Sequence, residues 1–530
     1  MSILNNGGNL SAGVYDAISD ESIIAQLSET CVCAFVGPSH RGKVGEPVLF
    51  NGLIDFRNKF GRIDSKLTAA HICVEKFLEQ GSTGYFTRVA RNAKYGSSLV
   101  GIENNFAITK EPYQGYADPE DYNFGSSDLI FLTGRDPGNW NNGYNWVMYP
   151  DTDDQDNEAF YLEIFERGKT VALEIHRCTL RDKMDGNRRQ MNVEDVLENA
   201  NSVVRARVNR DNPMYVADPS RRLVNAVIEG SLMHGDDGDE ITIDDIIDGW
   251  NTYDDPEEFR VDLLINGGYA DPAVQMAMLE MASLRGDCHA ILDMPRDMQD
   301  DVSKAVNYRR NVLNASTYDG SIYAPYSVLL SDEGTEYECP PSGHFAERAA
   351  FSENVSHRWF AVAGVNRAII NAERLTRVYN PGERGVLDQN QINFIQNLPG
   401  YGPTIMSQLT LQPFRSSMQD QNVVRLVRML NRNCKDAAMV TLFEPGDSVT
   451  WTTLRNIANS LLAPAKQKRG LYGYEVICDE RNNKPETIAS GDTILDIYID
   501  PTIATKRIFI NAIVAPTGGV EATVSLIDRI

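Results

Sequence analysis

Apolar positions along this chain follow two periods, and the alternation between them sets the architecture. The run TCVCAFVG (30–37) reads as a buried strand that stops at Gly37-Pro38. Helical spacing predicts a helix over about 67–80, with Ala70, Val74, Phe77 and Leu78 on one face and Gly81 as its stop. YFTRVA (85–90) predicts a further strand, so the unit is strand–helix–strand with parallel pairing. The same alternation returns over 216–340. There VDLLING (261–267) is a strand, Asp271-Pro272 opens a helix that Gly286 closes, and CHAILDMP (288–295) is the next strand. A helix over about 297–312 and a strand SIYAPYSVLL (321–330) follow, which together imply a parallel sheet covered by helices.

Between these two blocks the pattern changes to short strands separated by turn residues. DLIFLTG (128–134), NWVMY (145–149), FYLEIFERG (160–168) and TVALEIHRC (170–178) mark a mostly β insertion over 96–215, with a hairpin at Arg167-Gly168-Lys169. The last third mixes helices at 422–434 and 452–468 with strands at 474–479, 493–500 and 506–515. Both ends read as arms. Residues 1–20 are rich in Asn and Gly and then offer the extended run around Val14, Tyr15 and Ile18. Residues 518–530 follow Gly518-Gly519, and there Val520, Ala522, Val524 and Leu526 alternate with polar residues. A tethered strand of this kind completes the edge of another chain's sheet or folds back on its own. The fold class is therefore α/β (mixed α+β) and multidomain, with a β-rich insertion and extended terminal arms.

Composition narrows the class. With 530 residues, 42% hydrophobic and 23% charged, the chain has room for several buried cores. No apolar run is long enough for a bilayer, and MSILNNGGNL has no signal-peptide pattern, so no membrane insertion is expected. The formal net charge of −24 makes nucleic acid a poor partner. Eleven carboxylates and no basic residue fall within 236–258, whereas 415–469 holds nine basic residues against four acidic ones. The eight cysteines lack paired C-x-x-C spacing, so they read as small buried residues rather than as zinc ligands.

Motifs of chemistry are weak throughout. Gly37 to Lys43 fits G-x-x-x-x-G-K after a strand, but Val44 replaces the Mg²⁺-binding Ser/Thr and Gly45-Glu46-Pro47 denies the helix. Gly267-Gly268 lacks the rest of a dinucleotide fingerprint, and Asp236–Glu240 lacks the ligand spacing of a calcium loop. The seven histidines show no H-x-x-x-H pair, no G-x-S-x-G elbow is present, and no Cys–His arrangement has a recognisable neighbourhood. No catalytic residue, cofactor or metal is assigned.

Several stretches, taken in order, resemble the contractile-tail sheath family of bacteriophages. They are AFVGPSHRGKVGEPVLFNGLIDFRNKFG (34–61), EKFLEQGSTGYFTRVA (75–90), DPGNWNNGYNW (136–146) and GSLMHGDDGDE (230–240), the last with His234 in place of a glycine. CHAILDMP, APYSVLL and CPPSGHFAERAA (339–350) continue the order. LDQNQINFIQNLPGYGPTIMSQLTLQ (387–412), LFEPGDSVTWTTLRNIANSLL (442–462), GLYGYEVICDERNN (470–483) and IDPT (499–502) complete it. Ile405 to Thr410 departs from the Trp-Gly-x-Arg-Thr of many members.

The resemblance implies a structural subunit and no enzyme. It implies an α/β domain from 21–95 with 216–345, a protruding insertion at 96–215 and an inner core domain at 346–517 facing a tube. The arms at 1–20 and 518–530 would be donated to neighbouring copies. The implied partners are further copies in stacked rings or a multi-start helix, a tail tube protein, and baseplate and tail terminator proteins. The implied location is the virion tail, assembled in the host cytoplasm. Contraction would drive the tube through the host envelope. The alternative within the class is the sheath of a contractile injection or bacteriocin-like device; outside it, a nucleotide-binding α/β protein using Gly37–Lys43. For contact with an acidic tube the candidates are Arg425, Arg428 and Arg432, at i, i+3, i+7 of one helix, and Lys466, Lys468 and Arg469 at the end of the next.

Overall fold

The structure, a computed structural model, describes residues 31–62, 69–103, 106–110, 112, 114–154, 158–184, 188–213, 224–330 and 334–506. Its centre is an eight-stranded sheet, in the order Gly402–Ile405, Ile392–Leu398, Gly320–Ala324, His289–Asp293, Leu263–Ile265, Cys33–Gly37, Thr83–Arg88, Val48–Asn51. The six inner strands run parallel, and the strand at each edge is antiparallel to its neighbour. Parallel strands are covered on both faces, and alternation along Cys33–Gly37 shows how. Ala34 and Val36 meet Ile246, Trp250 and Met278 on one side; Cys33 and Phe35 meet Phe56, Phe77 and Phe345 on the other. The helices Ile243–Asn251 and Pro272–Arg285 therefore lie on one face, and Gly52–Phe60, Ala69–Phe77 and Pro341–Val355 on the opposite one.

Local chemistry explains the element boundaries. Asp271 accepts a hydrogen bond from the Ala273 amide at 2.8 Å, Pro272 occupies the first turn, and Gly286 ends the helix at φ +68°. The helix expected over 297–312 is shorter, Val302–Asn307, and passes into a π turn at Tyr308–Leu313. The strand expected at 321–330 is two strands, Gly320–Ala324 and Ser327–Leu330, because Pro325 has no N–H for a ladder. The second pairs with Glu336–Cys339 and Arg374–Leu375 in a separate small sheet.

Two four-stranded antiparallel sheets form the β-rich part. One contains Ser97–Glu103, Phe106–Lys110, Asp128–Gly134 and Val204–Val208; the other Tyr144–Pro150, Phe160–Glu166, Glu174–Cys178 and Ile228–Ser231. They close on one core that includes Ile130, Leu132, Trp146, Met148, Leu162 and Ile164. Ile228–Ser231 lies beyond the expected limit at 215 and belongs to this unit through pairing with Tyr144–Pro150. The entering and leaving chains pair side by side, Arg91 with Asp239 and Lys94 with Asp236. Similarly, the large sheet crosses the boundary expected at 345, because Ile392–Leu398 pairs with Gly320–Ala324. The last described part is a helix pair, Gln421–Ala438 and Ser448–Gln467, with a two-stranded ribbon of Leu471–Ile477 and Asp496–Pro501. All eight cysteines are buried thiols, and the Sγ atoms of Cys31 and Cys33 lie 3.9 Å apart.

The helix Pro341–Val355 approaches Ala69–Phe77 at Gly343, where a Cβ would fall 2.7 Å from Cys73 Sγ and 2.9 Å from its Cα. Because the nearest obstacle includes backbone, Gly343→Val should lower the unfolding free energy by about 1–3 kcal/mol. Thermal melting checks this, and an unchanged Tm would contradict the packing described.

Candidate functional site: a buried ion network and an open ribbon

Arg425, Arg428 and Arg432 share one face of their helix, as their spacing requires, but that face points inward. Arg425 donates to Glu353 at 2.5 Å, Arg428 pairs with Asp319, and Arg432 reaches Asp262 at 2.6 Å and Asp287 at 3.1 Å. Arg358 bridges the two central acids, 2.6 Å from Asp262 and 3.0 Å from Glu353. The backbone N–H of Val32 adds a 3.0 Å bond to Asp262. The expectation that these three arginines face a tube is thereby corrected. Buried guanidinium groups need carboxylate partners, and the partners lie 72, 109 and 170 residues away in the chain. The network fastens the helix pair to the end of the large sheet.

Lys466, Lys468 and Arg469 are exposed at the C-terminal end of Ser448–Gln467. Lys466 Nζ lies 5.8 Å over the Tyr474 ring, and the Lys468 carbonyl accepts from Trp359 Nε1 at 3.1 Å. Cations here complement the negative end of the helix dipole. The chain then turns at Arg469, at φ +67°, into the ribbon. Register runs from Leu471↔Pro501 to Ile477↔Asp496, with an irregularity between Leu471 and Gly473. Among the described residues neither outer edge of the ribbon has a partner strand, and Tyr472 and Tyr498 are 66% and 59% exposed. Two-stranded ribbons are marginal in water, and open edges invite an added strand. Val14, Tyr15, Ile18, Val520, Ala522, Val524 and Leu526, the expected arm strands, lie outside the described residues.

Features that imitate active sites serve packing. After the Gly37–Lys43 turn, Val44 bridges to Arg88 in extended backbone, and Lys43 pairs with Glu46 at 3.0 Å. The chain there does not enter the helix that a phosphate loop requires. Arg88 is buried beneath the turn and donates to the carbonyls of Gly42 at 2.9 Å and Pro137 at 2.7 Å. Burial draws its guanidinium down to about 10 against the opposing pull of Asp136 and Asp237.

The positive φ values of Gly267 and Gly268 shape a cradle at the end of the parallel strands, and the protein's own carboxylate fills it. Asp293 accepts from the Gly268 amide at 2.9 Å and from the Ser342 amide and hydroxyl at 2.7 Å. Helix Pro341–Val355 begins there, so its N-terminus faces an internal carboxyl group.

A grouping that sequence spacing did not reveal is Ser327, Cys339, His344 and Glu347. Ser327 Oγ lies 2.6 Å from His344 Nε2, but Glu347 stands 3.6 Å from Nδ1, beyond hydrogen-bond range. All four side chains are buried, which denies a substrate access. Burial opposes charge on His344, yet Cys339 and Glu347 raise its pKa to about 9. Among the described residues no group of three or more His, Cys, Asp or Glu has the placement to hold a metal.

Six parallel strands with helices on both faces and a two-sheet β insertion make up the fold seen in sheath proteins of contractile tails and injection systems. The sheath tail protein of Listeria innocua superposes with a TM-score of 0.59 at 12% identity, over 90% of this chain and 96% of that one. The sheath complex of an extracellular contractile injection system, solved in the contracted state, gives 0.54 at 14% identity, over 96% of this chain and 99% of that one.

In sequence the chain is similar to the tail sheath protein of Enterobacteria phage T4, with 26% identity over 300 residues, 53% of this chain and 46% of the relative. The chain spans about half the length of the curated relatives it matches. No family model matches it.

Two outcomes follow for the buried carboxylates. Burial opposes ionisation of Asp262, but Arg358, Arg432 and the Val32 N–H overcome it and lower its pKa. A depressed folded pKa gives stability that is present above the unfolded value near 4 and is lost as pH falls through the folded value. Asp262→Ala should cost about 3–5 kcal/mol by stranding two arginines and should flatten the acid limb of stability measured in denaturant. A smaller loss with an unchanged limb would contradict the network. Asp293 shifts the other way: burial raises it to about 7, against the Ser342 and Gly268 bonds. Its contribution is full below about 4 and is lost as pH rises through about 7. Asp293→Asn should therefore remove a decline in stability between those limits, and a decline of unchanged slope would contradict that assignment.

Proposed function

We propose that this chain is the structural subunit of a bacteriophage contractile tail sheath, which polymerises around a tail tube and contracts to drive that tube through the host envelope. The observation that carries the reading is sequence similarity to the phage T4 tail sheath protein combined with the fold of a contracted sheath. Physical features support it. The buried arginine network makes the helix pair and the large sheet one body, while the terminal ribbon has edges without a partner strand among the described residues. Rigid bodies joined by exchanged strands change their mutual packing without unravelling, so no nucleotide is needed.

In this reading the arms at 1–20 and 518–530 pair with the ribbon edges of neighbouring copies, and residues 346–517 face the tube. The sandwich protrudes outward. Lys466, Lys468 and Arg469 remain the candidates for contact with an acidic tube, being exposed at a helix end. A salt-sensitive contact of that kind holds the tube during assembly and releases it on contraction. The further partners are tail tube, baseplate and terminator proteins; the location is the virion tail, after assembly in the host cytoplasm; and the subunit performs no catalysis. A sheath of a contractile injection device is the second reading, favoured by the likeness to such a complex.

Electron microscopy of the purified chain should show rings or rods without nucleotide. Deleting 518–530 should abolish them while circular dichroism and melting stay unchanged; rods of normal length from the truncated chain would count against donated arms. Reversing charge at Lys466 and Lys468 (K466E with K468E) should reduce assembly on tubes, and undiminished tube-dependent assembly would remove these residues from the contact.

A further inference from the structure

A cleft of about 870 Å³ lies where the helix Gly52–Phe60 meets the β sandwich. Its lining includes Arg41, Arg57, Arg62 and Lys169 against Glu166 and Asp237, with Lys169 paired to Glu166. In a chain of net charge −24 a concavity with surplus positive charge is unusual, and such a cleft focuses its field on an anionic partner. Arg41 is fixed over the Trp140 ring at 5.8 Å, and Arg57 is held by both oxygens of Glu75 at 2.8 Å. Ile54, 78% exposed, supplies an apolar contact on the same wall.

The complementary surface lies on this same chain. The helix Ile243–Asn251 buries Ile246 and Trp250 and leaves Asp244 and Asp248, one turn apart, in solvent beside an exposed Ile243. This helix covers the face of the large sheet that carries Ala34 and Val36, whereas Gly52–Phe60 and its cleft cover the face that carries Cys33 and Phe35. A molecule thus presents a basic cleft with one isoleucine on one side and an acidic ridge with one isoleucine on the other. Two different patches on opposite faces make a heterologous contact, which propagates instead of closing on itself.

We infer that the cleft receives the acidic face of helix Ile243–Asn251 from a second copy of this chain, so that sheath assembly is propagated by a charge-matched contact besides the donated arms. The inference rests on the proposed sheath role and specifies which surfaces meet. The volume suits the side chains of a helix turn or two, and Asp244 and Asp248 bring two carboxylates, one turn apart, to the basic lining.

The experiment compares the full chain with two variants, Arg62→Glu/Lys169→Glu and Asp244→Lys/Asp248→Lys, by sedimentation and electron microscopy over a salt series. Each variant alone should need at least about tenfold more protein to polymerise, with an unchanged melting temperature. An equimolar mixture of the two should recover wild-type assembly, since each reversed surface then meets a reversed partner. Glu280→Lys, on an exposed position of another helix, should have no effect. Wild-type rods that tolerate both reversals, or a mixture that recovers nothing, would overturn the inference and leave the sheath reading standing. A wild-type chain with no self-association at any salt concentration would overturn both.

Discussion

The architecture depends on compensation of charge in a place without water. Arg358, Arg425, Arg428 and Arg432 sit between the end of the large sheet and the helix pair, and each is neutralised by an acid from a different part of the chain. Removing one partner from such a set leaves a buried charge that nothing else can solvate. The set therefore acts as an all-or-none clasp. Strand Leu263–Ile265, helix Pro341–Val355 and helix Gln421–Ala438 either stay together or come apart at high free-energy cost. Apolar packing alone, through Leu426, Met429, Leu430 and Leu462, would tolerate small slips; buried ion pairs with fixed partners do not.

That clasp sets the contrast on which the proposed function turns. Inside, the sheet is covered on both faces and the Asp293 carboxyl already occupies the helix terminus, where an anion would otherwise bind. Outside, neither edge of the ribbon has a partner strand among the described residues. A stiff interior and incomplete edges are what a polymer of rigid bodies requires, because free energy for movement then resides in contacts between copies rather than within one.

Much of this was legible from residue order. Asp271-Pro272 and Gly286 mark both ends of their helix, DLIFLTG coincides with Asp128–Gly134, and the change of period near residue 96 announces the sandwich. Other features were hidden by distance along the chain. The i, i+3, i+7 arginines give the correct helix face but not its direction, since their acids come from 72 to 170 residues away. Val48–Asn51 and Gly52–Phe60 went unread because their apolar stretch is brief and Gly52 stands at the junction. The strand at Ile392–Leu398 and its place in the large sheet went unread, because its pairing with Gly320–Ala324 is a tertiary fact. Ser327 and His344 likewise meet only through the fold.

Hydrogen exchange, measured residue by residue on the free chain and on assembled rods, tests the contrast between clasp and ribbon most directly. The account predicts that amides of Gln421–Ala438 and Leu263–Ile265 exchange together and only at the level of global unfolding in both forms. Amides of Leu471–Ile477 and Asp496–Pro501 should exchange early in the free chain and become protected on assembly. Early opening of Gln421–Ala438 ahead of the large sheet, or ribbon protection that does not change between the two forms, would contradict it.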